Sequence, residues 1–420
     1  MSLTKLTPVV SLVGMKDRSL AQAVEDLAFS DHKMALVSGP RQCGKTTLAK
    51  MLLARRKTGV YHNWDELGFR RTWAKNPSTI IPRAEGKNVP LVVLDEIHKE
   101  RLWKRNLKGV FDTLETPCDI LVTGSARLNV YVKGSDSLLG RHLSFRLHPF
   151  SVREIERSDV LGPDALLTAL FSRAEPGHKS HEESFAALMA YGPFPQPLFL
   201  QSVRQSRLWR RNREQLVVRE DLRDLSRLLE LGRIEMMTAL LPERVGSPFS
   251  AASLGRDLEV SIPTIKRWVA YLKELYYLFE VRPYTKRITR SIRREGKVYL
   301  WDYGAIKDDA ARFENLVACH LLKTCHFWTD TGEGDFGLYL LRTKEKQEID
   351  FLIVRDGEPW LPVEVKYSDT APSPNWQKFA GLIPCRQGLQ IVRQPHWRVH
   401  EFGGAKTLVA GAAEALAYFA

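Results

Sequence analysis

The chain lacks the cysteine patterns that mark disulfide-rich and zinc-binding proteins. Its 420 residues include five cysteines, an odd number, which are widely separated and show no CxxC spacing. This usage argues against both a disulfide framework and a structural zinc site. A reducing cytoplasm is the localisation that it predicts.

Long apolar runs are also missing. No stretch approaches the roughly 18 uncharged apolar residues that a membrane-spanning helix needs. The opening stretch, MSLTKLTPVVSLVGMKDRSL, has neither the apolar core nor the cleavage site of a signal peptide. We therefore expect no membrane partner.

Acidic residues are scarce relative to basic ones. The chain has 49 Asp and Glu against 62 Lys and Arg, which gives a formal net charge of +13. Such a surplus favours polyanionic partners, nucleic acid first, although a generally basic surface is the alternative. The hydrophobic content of 44% is that of a folded globular protein, and the length predicts two to four domains.

The stretch SGPRQCGKTT, residues 38–47, has the spacing of a phosphate-binding loop. It follows the apolar run MALV and precedes KTTLAKMLLA, which favours a helix. Glycines let backbone N–H groups turn around a phosphate, the lysine reaches the β and γ oxygens, and the helix N-terminus adds positive potential. The predicted ATP-binding residues are Gly39, Pro40, Arg41, Gln42, Cys43, Gly44, Lys45, Thr46 and Thr47.

A second apolar run, VPLVVLDEIHK, ends in two carboxylates. Paired acids at the end of a buried strand are costly unless they face a cation or water. We predict that Thr46 and Asp95 hold Mg²⁺, Asp95 through water. Glu96 would polarise the attacking water, and Lys45 would act on the phosphates.

The next run, CDILVTGSAR, ends in polar residues, of which Ser125 is our candidate for contacting the γ-phosphate or positioning the water. The alternative is a polar strand end that only serves a turn. Arg127 and Arg141 follow, and either can stabilise transition-state charge in a neighbouring subunit. Arg141 is our choice, which makes a homo-oligomer a possible partner.

Five segments, GPRQCGKTT, VLDEIHK, TGSAR, LLGRHLSFRLHPFSVRE and YGPFPQP, occur in this order. Together they resemble a prokaryotic group of AAA-like ATPases, related to the archaeal ATPases, that carry a C-terminal domain of unknown function. The resemblance covers nearly the whole chain. It implies an α/β fold with an AAA-type ATPase core (1–154), a helical lid (155–245), a winged helix (246–304) and a restriction-endonuclease-like domain (305–420).

Residues 155–245 have helical periodicity with breaks at GPD, EPGHK and YGPFPQP. The prolines of YGPFPQP predict a rigid extended turn, which either approaches the adenine or sets the angle between two helices. The arginine-rich segment that begins at Val203 is predicted to form one long helix with a solvated face.

The stretch SAASLGRDLEVSIPTIKRWVAYLKELYYLFEV, residues 250–281, predicts a helix-turn-helix. Ser261 would cap the second helix, with Pro263 in its first turn. Ile265, Trp268, Val269 and Leu272 would face the core, while Thr264, Lys266 and Arg267 face outward.

The run RPYTKRITRSIRREGK then adds seven basic residues (Arg282, Lys286, Arg287, Arg290, Arg293, Arg294, Lys297) and is predicted to form a charged wing. The unit would contact DNA phosphates or serve only for packing.

The stretch WLPVEVKYSD places Glu364 and Lys366 on one face of a predicted strand. Asp350 lies fourteen residues upstream, on the expected neighbouring strand, and Glu314 lies in the helical stretch FENLVACHLLK. An Asp-x(n)-Glu-x-Lys pattern is that of the endonuclease-like core. The carboxylates would bind a divalent cation, and Lys366 would assist the attacking water. Alternating charge on a solvated face, or acids kept for binding or architecture alone, are the alternatives.

These patterns predict an ATP- and Mg²⁺-dependent AAA-like ATPase. Its nucleotide state would control a basic second half that faces DNA, because hydrolysis would release the lid and reposition the winged helix and terminal domain. One alternative is an ATP-gated, metal-dependent nuclease that uses Asp350, Glu364 and Lys366. Another is a regulatory switch with slow hydrolysis, in which nucleotide exchange controls assembly.

Overall fold

The computed structural model describes residues 16–82, 88–125, 128, 138–156, 159–172, 179–222, 230–285, 295–343, 347–379 and 383–420. Within these ranges the chain forms an α/β structure with two sheets. The strands are β1 Met34–Ser38, β2 Gly59–Asn63, β3 Leu91–Asp95, β4 Asp119–Gly124, β5 His142–Arg146, β6 Leu278–Pro283, β7 Lys297–Leu300, β8 Phe336–Arg342, β9 Glu348–Arg355, β10 Glu358–Lys366, β11 Gln387–Val392, β12 Trp397–Phe402 and β13 Ala405–Gly411.

The α-helices of the described ranges alternate with these strands and fill the middle of the chain. They are α1 Ser19–Ala23, α2 Lys45–Ala54, α3 Leu67–Lys75, α4 Trp103–Asp112, α5 Val152–Glu156, α6 Pro163–Ser172, α7 Lys179–Tyr191, α8 Pro195–Leu200, α9 Val203–Gln215, α10 Leu231–Leu240, α11 Ala251–Asp257, α12 Ile262–Glu274, α13 Asp309–Asp330, α14 Asn375–Phe379 and α15 Ala412–Leu416. None of the helices described is long and apolar enough to cross a membrane.

The first sheet has five parallel strands in the order β2-β3-β4-β1-β5. Every residue of β1, β3 and β4 is buried, which explains why their sequences are almost continuous apolar runs rather than alternating ones. Because the strands are parallel, the segments that follow β1, β3 and β4 meet at one edge. That edge carries the phosphate-loop sequence, the paired acids and Ser125.

The segment YGPFPQP is only partly the extended turn that we predicted. Gly192 has φ +84° and Phe194 is extended, but Pro195 begins α8. A proline is tolerated at the first position of a helix because that N–H has no intrahelical partner. The extended-turn prediction is therefore wrong for the second half of the segment.

Helix α9 continues without a break into a π-helical turn, Leu216–Asp221. Residues 223–229, the rest of the predicted long helix, lie outside the described ranges.

The helix pair α11 and α12 follows the predicted pattern closely. The Ser261 hydroxyl accepts a hydrogen bond from the backbone N–H of Thr264 at 3.4 Å, and a proline lies in the first turn of α12. The predicted apolar face of α12 is buried, while Lys266 and Arg267 are exposed. The predicted cap and the two faces of this helix are confirmed.

The second sheet has eight strands in the order β12-β13-β11-β10-β9-β8-β6-β7. The first residues of β6 pair antiparallel with β7, and its last residues, Arg282 and Pro283, pair in parallel with β8. The strands of the predicted winged helix and those of the C-terminal region therefore share one sheet, which crosses the predicted boundary at residue 304.

Helix α13 joins the two halves of the molecule. Its last residue, Asp330, accepts two-pronged hydrogen bonds from the Arg146 guanidinium at the end of β5. Nearby, His148 Nε2 lies 2.8 Å from His326 Nδ1. The buried Lys323 donates to Glu154 at 2.7 Å. Most buried apolar residues of both halves form a single continuous core.

Candidate functional site

The predicted phosphate-binding residues form one tight turn between β1 and α2. Gln42 and Gly44 have left-handed φ values of +64° and +104°. A Cβ at Gly39 would meet the Leu147 carbonyl oxygen at 2.3 Å, so this position requires glycine. The Lys45 ammonium is buried and donates to the carbonyls of Gly39 at 3.0 Å and Pro40 at 2.7 Å. The Lys45 side chain therefore folds back onto the phosphate loop.

Asp95 is buried at the end of β3 and is surrounded by hydroxyl groups. It accepts hydrogen bonds from Thr46 at 2.8 Å, Tyr61 at 2.6 Å and Thr123 at 2.5 Å. These donors are neutral, so the carboxylate charge remains available to a cation beside Thr46. Hydroxyl and carboxylate oxygens are the ligands that Mg²⁺ prefers, and the two residues fit the magnesium role predicted for them.

Glu96 follows Asp95 in the left-handed conformation, with φ +59°, which turns its side chain away from the strand direction. Its Oε2 lies 3.6 Å from His98 Nε2, and the Ser125 hydroxyl lies 3.4 Å from the same nitrogen. Burial raises the pKa of Glu96, an effect that the ammonium groups of Lys45 and Lys99 oppose. Glu96 and Ser125 therefore meet at one buried histidine, His98, which the sequence analysis did not single out.

Arg41 connects the phosphate loop to the helical region. Its guanidinium donates to both carboxylate oxygens of Asp221, at 3.0 and 2.9 Å, at the end of the π-helical turn. A second link runs from Ser38, at the end of β1, whose hydroxyl lies 3.3 Å from the Tyr276 hydroxyl that follows α12. The phosphate-loop sequence thus contacts the helical region and the segment after α12 directly.

Arg141 lies far from the phosphate loop of its own chain. It immediately precedes β5, whose parallel register with β1 begins at Met34, whereas the loop follows the other end of β1. Its exposed guanidinium pairs with Asp112 at 2.6 and 3.0 Å. A role for Arg141 in a neighbouring subunit stays a prediction. Arg127 lies outside the described residues.

The predicted carboxy-terminal residues come together on two adjacent strands. Strands β9 and β10 pair antiparallel, with Phe351 opposite Val363. Asp350 accepts the backbone N–H of Val365 at 2.9 Å, and Lys366 donates to Glu364 at 2.8 Å.

Burial, and then the charge of Asp350, raises the pKa of Glu364. Oε1 of Glu364 also accepts from Ser373, while its buried Oε2 has no hydrogen-bond partner among the residues described.

Lys297 is the main departure from the predicted arrangement. We placed it in the exposed charged wing, and this was wrong: it is buried at the start of β7. Its ammonium lies 2.6 Å from Glu348, 3.2 Å from Glu314 and 3.5 Å from Asp350. Burial alone would lower the pKa of Lys297, but the three carboxylates raise it. Arg282, the first residue of the predicted wing, lies in β6, and residues 286–294 lie outside the described ranges.

Glu314 lies in this cluster as predicted, and the Tyr299 hydroxyl donates to it at 2.7 Å. Burial, followed by the charge of Asp350, raises the pKa of Glu314 to about 7. In the described part of the chain, no group of three or more His, Cys, Asp or Glu side chains is arranged to hold a metal ion. The carboxylates surround an ammonium instead.

Strand periodicity contained a signal for the residues that the sequence analysis missed. Lys297 and Tyr299 are two residues apart on β7, as are Glu348 and Asp350 on β9, so each pair points to one face. The packing of β7 against these acids involves residues distant in sequence and was not visible from either pattern alone.

Three segments of the chain match protein-family models. Residues 31–156 match the AAA domain. Residues 182–308 and 310–408 match two domains of unknown function, DUF8612 and DUF4143.

Similar sequences occur in bacteria and archaea. An uncharacterized protein of Mycobacterium tuberculosis is 23% identical over 385 residues, which are 90% of this chain and 79% of that protein. An uncharacterized protein of Methanocaldococcus jannaschii is 24% identical over 348 residues, covering 73% and 71% of the two chains.

Two solved structures resemble this one in part. The Walker-type ATPase PabY2304 of Pyrococcus abyssi is 14% identical, with a TM-score of 0.41, and covers 73% of this chain and 99% of its own. The Aeropyrum pernix ORC1 protein in complex with DNA is 16% identical, with a TM-score of 0.32, and covers 71% and 90%.

The family match and the phosphate-loop motifs agree. The resemblance drawn from those motifs is confirmed: the chain carries an AAA domain with a P-loop ATPase fold, followed by two domains of unknown function.

Proposed function

We propose that this protein binds ATP with Mg²⁺ at residues 39–47 and hydrolyses it, and that its nucleotide state controls a basic, DNA-facing second half. The observation that carries the proposal is the contact between the start of α2 and the end of β3. The Thr46 hydroxyl lies 2.8 Å from Asp95, and Glu96 directly follows Asp95. The residue types and spacing match what phosphoryl transfer to water requires.

Each residue of the site has a separate task in this proposal. Lys45 exchanges its loop carbonyls for phosphate oxygens, and the loop amides bind the same anion. Thr46 and Asp95 would hold Mg²⁺, which when bound supplies positive charge at the β and γ oxygens. Glu96 orients the attacking water, and its raised pKa makes it a stronger proton acceptor than an ordinary carboxylate.

Coupling to the rest of the chain would begin at Arg41. Its pairing with Asp221 joins the loop to the helical region. A triphosphate competes for the same guanidinium, because phosphate oxygens also accept two-pronged hydrogen bonds. Release of Asp221 would free the helical region, and the contact of Ser38 with Tyr276 gives a second route to the segment after α12.

The DNA-facing surface in this proposal includes the outer face of α12. Lys266 and Arg267 are exposed there, and the net charge of +13 favours a polyanion. The winged-helix assignment supports contacts with the DNA backbone rather than with particular bases.

The ATPase proposal is tested with purified protein by ATP titration and steady-state phosphate release. We expect Lys45→Ala to lose ATP binding, and Glu96→Gln to retain ATP binding but lose at least about 100-fold in kcat. Lys366→Ala, on the distant β10, is the control and should hydrolyse ATP like the wild type. ATP binding that survives in Lys45→Ala would refute the site assignment.

The DNA proposal is tested by fluorescence anisotropy of labelled duplex and single-stranded DNA, with and without a non-hydrolysable ATP analogue. Lys266→Glu with Arg267→Glu should weaken binding, and the nucleotide should change the affinity of the wild type. The matched control is Arg101→Glu with Arg105→Glu, two exposed basic residues of the AAA domain near and on α4. Equal losses in both double variants would mean that α12 has no special role.

A metal-dependent nuclease is the second candidate function, favoured by the contact of Lys366 with Glu364 beside Asp350. It predicts DNA cleavage with Mg²⁺ or Mn²⁺ that Lys366→Ala abolishes. Negligible hydrolysis combined with an ATP-dependent oligomeric state would instead support the regulatory switch.

A further inference from the structure

We propose that Lys297 occupies a divalent-cation position in the carboxylate cluster of Glu314, Glu348 and Asp350, so that Mg²⁺ or Mn²⁺ and the Lys297 ammonium compete for the same oxygens. The site is latent while the lysine is in place. This inference concerns the second half of the chain and does not depend on ATP hydrolysis.

The geometry around the ammonium supports an internal cation. Lys297 Nζ approaches one oxygen from each of three carboxylates, at 2.6, 3.2 and 3.5 Å. These acids come from two elements, with Glu314 on α13 and Glu348 and Asp350 on β9. Three carboxylates converging from two elements would repel one another without a positive charge between them. One buried lysine supplies that charge.

A second observation indicates that the cluster offers more ligands than the lysine uses. Glu364 on the neighbouring strand is only 1% exposed, yet its Oε2 has no hydrogen-bond partner among the described residues. A buried carboxylate oxygen without a partner is costly, and a metal ion is one group that removes the cost. The Lys297 ammonium has three protons to donate, and these are directed to Glu314, Glu348 and Asp350. None is left for Glu364.

The cluster is also accessible to an ion. A cleft of about 300 Å³ opens beside Glu314 and is lined by Gly246, Ser247, Val365 and Tyr367 among others. Gly246 has φ +73°, and a Cβ there would approach the Glu314 carboxylate to 3.1 Å. The glycine thus leaves open the side of Glu314 that faces the cleft.

The position of Lys297 explains an apparent conflict. The acids are of the kind that binds metals, yet no group in the described ranges is arranged to hold a metal ion. A hydrated divalent cation must displace Lys297 before it can reach Glu314 and Asp350 together. If the nuclease alternative holds, its metal would enter only after that displacement.

The test measures Mn²⁺ binding to the full chain without nucleotide, from the electron paramagnetic resonance signal of free Mn²⁺. We expect Lys297→Met to bind Mn²⁺ at least tenfold more tightly than the wild type, and Lys297→Arg to resemble the wild type. Adding Asp350→Asn to Lys297→Met should abolish the gain. Any Mn²⁺ that binds at Asp95 and Glu96 contributes equally to the wild type and to these variants.

Lys273→Met is the matched control, because its ammonium also lies close to a carboxylate, 2.9 Å from Glu280, but outside the cluster. It should change Mn²⁺ affinity less than threefold. A folded Lys297→Met protein that binds Mn²⁺ no better than the wild type would overturn the proposal, as would an equal gain in Lys273→Met.

A measurement on the wild type decides the question even if the variants do not fold. Amine acetylation followed by mass spectrometry reports the accessibility of Lys297, with the buried Lys323 as the internal reference. Millimolar Mn²⁺ should raise the labelling of Lys297 several-fold and leave Lys323 unchanged. Unchanged labelling of Lys297 across that range would reject the competition. Neither result alters the expected loss of ATP binding in Lys45→Ala, so the two proposals fail separately.

Discussion

The two acid clusters of this molecule are neutralised in different ways. At the end of β3, Asp95 is held by three hydroxyl groups, and the nearby Lys45 donates to loop carbonyls rather than to an acid. On β9, Asp350 and its neighbour Glu348 share one buried ammonium, that of Lys297, with Glu314. The first cluster keeps its negative charge for a ligand, whereas the second satisfies it internally.

This difference separates a site that is prepared for a ligand from one that is closed. Neutral donors orient a carboxylate without cancelling its charge, so a cation gains the full interaction on arrival. A buried ion pair must be broken before a competitor can bind, and that step opposes binding. Both clusters contain carboxylates, but we expect a cation to bind directly at the first and only after an ion pair is broken at the second.

The largest expected effect comes from removing one acid in each cluster. Asp95→Asn should lower kcat for ATP hydrolysis by about 1,000-fold, because the charge that holds the metal is lost while the hydroxyl contacts can remain. Asp350→Asn should leave hydrolysis within twofold of the wild type. Phosphate release at saturating ATP measures both. Comparable losses in the two variants would show that the clusters are not independent.

The two buried lysines give the next comparison. Lys297→Met should lower the free energy of unfolding by about 3 kcal/mol in the absence of divalent cations, because three carboxylates are left without their partner. Lys45→Met should cost about 1 kcal/mol, since only hydrogen bonds to carbonyls are lost. Chemical denaturation of the nucleotide-free proteins measures both. Equal costs would contradict the charge assignment of the second cluster.

The contact between the two halves should be sensitive to acid. Buried His320 on α13 accepts the backbone N–H of Val152 at 3.0 Å, and burial lowers its pKa to about 4 from the ordinary 6.5. The neutral form is therefore favoured in the folded state. Stability from this residue is complete above pH 6.5 and is lost as the pH falls towards 4.

His320→Gln should reduce the loss of unfolding free energy between pH 6.5 and 4 by about 2 kcal/mol. Denaturation at several pH values tests this. An unchanged pH dependence would mean that the pKa of His320 is the same in the folded and the unfolded protein. The buried pair of His148 and His326, whose pKa values are also lowered, should leave part of the acid sensitivity in place.

The smallest expected effect concerns the ion pair between Arg41 of the phosphate loop and Asp221. Asp221→Asn should tighten ATP binding about fivefold, because Arg41 no longer has to leave a partly exposed ion pair. Glu220→Gln is the matched control: its carboxylate lies 3.9 Å from Arg41, and the change should be less than twofold. Isothermal titration with ATP distinguishes them. Weaker binding in Asp221→Asn would mean that the pair prepares Arg41 for the phosphate.

The geometry of the proposed nucleotide site was predictable because its signals are local. The phosphate loop is a continuous sequence between a strand and a helix, and Asp95 and Glu96 directly follow a buried strand. Parallel strands bring these segments to one edge without further information. Tyr61 and His98 could not be assigned from sequence, since their approach to the acids depends on how β2 and the turn after β3 pack.

The second cluster was predictable only in part. Strand alternation and spacing identified Asp350, Glu364 and Lys366, and the structure brings them to adjacent strands. The same reasoning assigned Lys297 to an exposed basic run, because its neighbours in sequence are basic. Its burial is decided by the pairing of β7 with β6 and by acids at positions 314, 348 and 350, which are remote along the chain. The composition of a segment shows which residues are close in sequence, but not which residues are close in the folded structure.

The pairing of β6 with β8 has a practical consequence for dividing the protein into fragments. A piece beginning at residue 305 would expose the hydrogen-bonding edge of β8 where Arg282 and Pro283 now lie. Open strand edges recruit other chains, so such a piece should aggregate. A piece beginning before α11 keeps β6 and β7 attached and also retains Lys297 beside its three acids.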